Sequence, residues 1–260
     1  MDDRADTDRG RLRDFPWRLS YSTSGHTADG RPVDILHQFY IPALRRCIRY
    51  DRVAGYFRSS SLAAASQGFS AFVAAGGKAR MVVGSDLEPG DVQAILAGGE
   101  AQVAAALNRE LAEPEQWPED VQRGVELLAW MVAQGHLEMR VAFRIHAETG
   151  APLVPESVAD GYVHEKWALF QDEAGDRLYA TGSFNESRTA LVHNAENIDV
   201  HRDWTGEENR HRADQAAERF ERIWRNENPS LRVLTLPEAV KERLITLAAQ
   251  TPRPLEIDGS

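Results

Sequence analysis

His164, Lys166, Ser183, Asn185 and Glu196 have the types and spacing for chemistry on an anionic phosphorus centre. Histidine and lysine stand two apart in Val163-His164-Glu165-Lys166-Trp167. Side chains on a strand alternate between faces, so His164 and Lys166 are expected on one face and Val163, Glu165 and Trp167 on the other. An imidazole titrates near neutral pH and serves as nucleophile or proton carrier, while the neighbouring ammonium neutralises an anion. In Gly182-Ser183-Phe184-Asn185 the same rule puts Thr181, Ser183 and Asn185 on a common face. A helix starting at Ser183 or Asn185 would add backbone N–H groups and a positive dipole end, both favourable to phosphate. Lysine, amide and backbone donors together form a cradle for developing charge. Glu196, within Asn194-Ala195-Glu196-Asn197, is of the kind that holds one histidine ring nitrogen.

Each of these residues also has a plain structural reading. A lone His-x-Lys pair sits on a solvated strand face, Asn185 suits a turn, and Glu196 suits a strand surface. Ser183 with Glu186 fits a helix capping box as well as it fits catalysis. The agreement of three separated segments in one order favours the chemical reading. A metal site from His164, His193 and Glu196 lacks recognised ligand spacing. His26, His37, His136, His146, His201 and His211 are expected at the surface or in packing.

The order His-x-Lys, Gly-Ser-x-Asn, Asn-x-Glu resembles the HKD motif of the phospholipase D superfamily. The upstream block Tyr50-Asp51-Arg52-Val53-Ala54-Gly55-Tyr56-Phe57-Arg58-Ser59-Ser60-Ser61-Leu62 resembles the N-terminal segment of phospholipase D-like proteins found with bacterial defence helicases. The resemblance spans roughly 34–238 and is strongest over 162–200. It implies that His164 attacks phosphorus to give a phosphohistidine and that a second histidine protonates the leaving oxygen. Lys166 and Asn185 would bind the non-bridging oxygens, Ser183 would support them, and Glu196 would orient His164. No metal and no cofactor are implied. The family carries an aspartate five residues after the lysine; here that position is Gln171, with Asp172 next. The mechanism needs two histidines and the chain has one complete motif, so the resemblance implies a C2 homodimer with two His164 rings facing each other.

These residues must be positioned by strands and the helices packed on them. Ile35, Phe39, Ile41, Leu44 and Ile48 suit a helical stretch interrupted or started near Pro42, followed by a strand over 52–57. Leu62, Phe69, Phe72 and Val73 share a helix face ended by Gly76-Gly77, and 78–85 reads as the next strand. Strand, helix, strand in this order predicts an α/β fold with a mixed, mostly parallel central sheet flanked by helices. A helical insertion is expected over about 88–136, with an alternating strand over 137–145 behind it. Strands over 162–170 and 177–181 form a hairpin across a polar turn, 196–200 is a further strand, and 207–225 a charged helix. The last elements are a strand over 231–236 and a helix over 237–249. Residues 1–33 read as a polar arm with Phe15, Trp17, Leu19 and Tyr21 to dock on a core, 34–250 as the domain, and 251–260 as a polar tail.

Composition narrows the function classes. The 42% apolar fraction is ordinary for a globular chain of 260 residues, and no apolar run has membrane-spanning length. Cys47 stands alone, excluding an internal disulfide or a thiolate-rich metal site. With the charged start of the chain, this gives the expectation of a cytoplasmic protein with no membrane partner. A net charge of −10 argues against a wholly basic nucleic-acid-coating surface, though a nuclease needs positive potential only where its substrate lies. The arginine-rich 202–225 region interleaves acids and reads as a solvated, ion-paired helix. Two classes of function follow: a metal-independent phosphodiesterase cutting DNA in a restriction or phage-defence system, or a catalytically silent domain that binds nucleic acid or a helicase partner. A lipid phosphodiesterase is disfavoured by the lack of an amphipathic membrane-facing stretch.

Overall fold

A computed structural model describes residues 10–27, 30–54, 66–84, 126–127, 129–149, 165–183 and 196–235. Eight strands form one sheet: β1 (Ser20–Ser22), β2 (Arg49–Ala54), β3 (Lys78–Gly84), β4 (Leu137–Arg144), β5 (Trp167–Gln171), β6 (Arg177–Gly182), β7 (Asn197–Arg202) and β8 (Leu231–Thr235). Their spatial order is β1-β7-β6-β5-β2-β3-β4-β8. Among the described residues, the helices packed on the sheet include α1 (Ile41–Arg46), entered through a π-helical turn at Leu36–Tyr40, then α2 (Ser66–Ala74) and α3 (Glu207–Trp224). Pro42 stands where the π-helical turn passes into α1, and it has no N–H to donate to the preceding turn.

The sheet is mixed, as expected, but its balance is antiparallel. Only β2 with β3 and β3 with β4 run parallel; the β1–β7, β7–β6, β6–β5, β5–β2 and β4–β8 pairs are antiparallel. The strand-helix-strand unit correctly marks the parallel part. β5 and β6 follow one another across the turn at 172–176, and a connection that short permits only antiparallel pairing. At the join of the two parts β2 and β5 lie side by side, with Arg52 opposite Ala168.

Alternation along the strands makes two apolar faces. One carries Tyr50, Met81, Val141, Ala168, Phe170, Leu178, Ala180, Ile198 and Val200 and is covered by Phe39, Tyr40 and Leu44 and by Phe69 and Phe72 of α2. The other carries Val53, Val82, Ala142, Trp167 and Val233 and is covered by α3 through Ala216, Phe220, Ile223 and Trp224. These α3 positions follow helical spacing, which produces a single apolar stripe on an otherwise charged helix. Its outer surface is ion-paired as expected, through Arg212 with Glu208 and Arg225 with Glu221. At the end of α2, Gly76 takes φ 72°, the Gly76 N–H reaches the Val73 carbonyl at 2.8 Å, and the Gly77 N–H reaches the Phe72 carbonyl at 2.9 Å. This closes the last turn in the manner the glycine pair suggested.

The N-terminal segment does more than dock. Trp17 and Tyr21 are buried and Phe15 packs against the core, whereas Leu19 is 67% exposed, contrary to expectation. Leu12 is fully buried, and β1 adds the edge strand beside β7. The predicted strand at 52–57 begins earlier, at Arg49, and the β5 strand begins later than expected, at Trp167, with Glu165 and Lys166 leading into it. Most of the expected insertion, the helix at 237–249 and the tail at 251–260 fall outside the described residues.

Candidate active site

Lys166, Ser183 and Glu196 come together at one end of the sheet, from the lead-in to β5, the end of β6 and the lead-in to β7. The hairpin register explains the meeting. Trp167 lies opposite Thr181, and one position further the Gly182 N–H bonds the Lys166 carbonyl at 3.2 Å. Gly182 in turn lies opposite Ile198. Segments separated in sequence by residues 172–176 and by residues 184–195 are thereby brought to adjacent strands.

Gly182 is required at this point by contact. A Cβ placed there would stand 2.0 Å from the Asn197 carbonyl oxygen and 2.9 Å from the Ile198 Cα. Those are backbone atoms of β7, which cannot swing aside as a side chain can. With only hydrogen at 182, β7 approaches closely enough for the Ser183 N–H to bond the Asn197 carbonyl at 3.1 Å. The Ser183 hydroxyl then donates to Glu196 Oε2 at 2.5 Å and accepts the Asn197 N–H at 3.1 Å. Ser183 therefore leaves the strict alternation predicted for it, because the strand ends at Gly182.

Glu196 is buried, with 8% exposure, and is fixed from a second direction. Its backbone N–H donates to Thr23 Oγ1 at 2.8 Å, and the Thr23 N–H donates to its carbonyl at 2.9 Å. Thr23 sits directly after β1, so the N-terminal edge strand holds a residue of the site. Sequence patterns gave no sign of this, since a turn threonine carries no spacing signal that points across 173 residues.

Lys166 is 5% exposed. Its burial pushes the ammonium below the ordinary lysine pKa; Glu196 opposes that effect, and the positive charge of Arg52 adds to it. Glu165 and Trp167 take the other face, as the alternation predicted. The Trp167 Nε1–H donates to Glu165 Oε2 at 2.8 Å, and Arg219 of α3 lies 4.4 Å from the Trp167 ring centre. Arg52 was also missed as a site residue. Its signal lay in parity: between Tyr50 and Ala54 on one face of β2, an arginine stands where the pattern calls for an apolar side chain.

Position 171 lies on the Trp167 face, away from Lys166. Asp172 ends up as the anchor of the turn: Oδ1 accepts the Ala174 and Asp176 N–H groups at 3.0 and 2.9 Å, and Oδ2 accepts the Leu12 N–H at 3.0 Å. β5 and β6 stay in register up to Gln171 opposite Arg177, with no bulge ahead of Asp172. His164, Asn185, Glu186 and His193 lie outside the described residues. Within them, no group of three or more His, Cys, Asp or Glu residues is placed to hold a metal ion. No helix among the described residues is long and apolar enough to cross a membrane.

No protein-family model matches the sequence, and no curated protein matches it. Among solved structures, the chain is similar to NucT from Helicobacter pylori, with 10% identity and a TM-score of 0.41, over 73% of this chain and 87% of that one. It is similar to a phosphatidylserine synthase from Haemophilus influenzae, with 14% identity and a TM-score of 0.42, over 89% of this chain and 45% of that one. It is also similar to Nuc from Salmonella typhimurium, a phospholipase D family member, with 16% identity and a TM-score of 0.38, over 83% of this chain and 97% of that one.

Proposed function

We propose that this chain is a metal-independent phosphodiesterase that cuts DNA, with Lys166, Ser183 and Glu196 supporting chemistry at His164. The observation that carries the reading is the convergence of a buried lysine and a serine-held glutamate from three separated segments. A lysine in that position supplies positive charge to a phosphoryl oxygen, and a fixed carboxylate orients an imidazole.

In the proposed reaction an imidazole nitrogen of His164 attacks phosphorus, and the bond to the leaving oxygen breaks as a second histidine protonates that oxygen. Water then attacks the phosphohistidine, giving its proton back to the second histidine, and the phosphorus–nitrogen bond breaks. Lys166 and Asn185 hold the non-bridging oxygens throughout. The second histidine is the His164 of another copy in a C2 dimer, and the setting is a bacterial defence system with a helicase as a possible partner.

Cleavage of plasmid and single-stranded DNA in EDTA tests the proposal, with solution mass measured on the same sample. Wild type should cut as a dimer and His164→Ala should not. A dimer that binds DNA and leaves it intact would favour the silent binding domain, and a fully active monomer would sink the shared site.

A further inference from the structure

Arg52 is the one charged residue at an inward position of β2, β3 and β4 on the face covered by α1 and α2. Its neighbours at equivalent positions are Tyr50, Ala54, Ala79, Met81, Val83, Leu137, Met139 and Val141, all buried. It is itself 0% exposed. A buried ion is tolerated where its surroundings or its task compensate for lost hydration. The register places that task. Arg52 is opposite Ala168 of β5, so Lys166, two residues earlier on the same face, is its diagonal neighbour. Diagonal positions on a sheet stand about 7–8 Å apart, within reach of two long side chains. On the far side of Lys166, Gly182 contributes no side chain, and beyond it stands Glu196.

Resting on the phosphodiesterase reading above, we propose that Arg52 is a positioning residue of the site. From its fixed place on β2 it repels the Lys166 ammonium toward Glu196, where a substrate phosphate would be held. The asymmetry between the two cations makes this work. A guanidinium stays protonated at every relevant pH, so the strain of two adjacent charges falls on the amine, which adjusts. Among the described residues, Arg52 on β2 and Glu196 before β7 are the charged groups that bear on Lys166. Glu165 and Asp51 turn to the α3 face, where they meet Trp167 and Arg80.

The test is the rate at which Lys166 undergoes reductive methylation by formaldehyde and a borane across a pH series, read by peptide mass spectrometry. Only the neutral amine reacts. In Arg52→Met and in Arg52→Gln the repelling charge is gone. In both variants Lys166 should hold its proton to higher pH and react several-fold more slowly than in wild type below the midpoint. Arg52→Gln carries no charge and keeps a polar end at 52, so it remains informative should Arg52→Met fail to fold by circular dichroism. A Lys166 profile unchanged from wild type in either folded variant would overturn the inference. This readout needs no substrate. The phosphodiesterase reading fails separately, on absence of cleavage by the wild-type protein.

Discussion

The Ser183 hydroxyl donates to Glu196 Oε2 at 2.5 Å while accepting the Asn197 N–H at 3.1 Å, so one oxygen ties the end of β6 to both the carboxylate and the backbone of the next segment. Ser183→Ala would leave the carboxylate and an amide without this partner. Loss of a part-buried hydrogen bond of this kind costs about 1–3 kcal/mol. If Glu196 orients a catalytic imidazole, Glu196→Ala should lower kcat by on the order of 10²-fold, as expected for loss of a group supporting proton transfer. Ser183→Ala should lower it less, with KM unchanged. Steady-state cleavage of DNA by the two variants checks this. Equal activity of both with wild type would reduce the pair to a strut between strands.

Thr23 holds Glu196 from the other side, through the hydroxyl that accepts the Glu196 N–H at 2.8 Å. Thr23→Val keeps shape and removes that acceptor. The expected stability loss is about 1 kcal/mol in urea unfolding. Activity should fall as well, because the backbone that carries the carboxylate loses its bond to the Thr23 hydroxyl. A stability loss with unaltered kcat would show that the Ser183 contact and the Thr23 N–H bond to the Glu196 carbonyl are enough to position the carboxylate.

The legible parts of this chain were those governed by local period. The alternation of Glu165, Lys166 and Trp167 predicted which face each takes, and Gly76-Gly77 marked the end of α2. The hairpin that joins Lys166 to Ser183 could be read from two strand patterns and a polar turn. What escaped was long-range pairing. Nothing in Ser20–Ser22 says that it pairs with β7, and so Thr23 could not be placed against Glu196. Arg52 was visible as a break in an apolar pattern, but its neighbour depends on β2 pairing with β5, a fact of topology. The expectation of a mostly parallel sheet generalised from β2 and β3 and missed the antiparallel half.

Gln171 stands where the motif that this chain resembles carries an aspartate, and its place in the sheet says what that difference does. It faces away from Lys166, whereas Asp172 secures the turn through three backbone N–H groups. Gln171→Asp should therefore leave activity within twofold, roughly the effect of a surface change on an unrelated face. Asp172→Ala should destabilise the fold by about 1–3 kcal/mol, because buried donors are left unmatched. Thermal melts and cleavage rates on both variants separate the two roles. Enhanced activity in Gln171→Asp would show that the missing carboxylate matters to catalysis.

Asp176 predicts how the N-terminal clasp responds to acid. Its carboxylate lies against Arg13 and Arg11, with the Arg11 contact at 3.0 Å, and hydrogen bonding to Arg13 holds its pKa below the ordinary carboxylate value. A carboxyl with a depressed folded-state pKa binds its proton less readily when folded than when unfolded. The stability it contributes is therefore fully present above the unfolded value of about 3.9 and is lost as pH falls through the lower folded value. Wild type should lose stability across this acid window more steeply than Asp176→Asn, whose side chain does not titrate. The two curves should run parallel from about pH 5 upward, offset by the lost ion pair. Urea midpoints measured from acid to neutral pH read the difference. Because this clasp lies at the Gln171–Arg177 end of the hairpin, away from Lys166, Asp176→Asn should retain the wild-type pH profile for cleavage wherever it remains folded. A shifted profile would mean that the two ends of β5 and β6 are coupled.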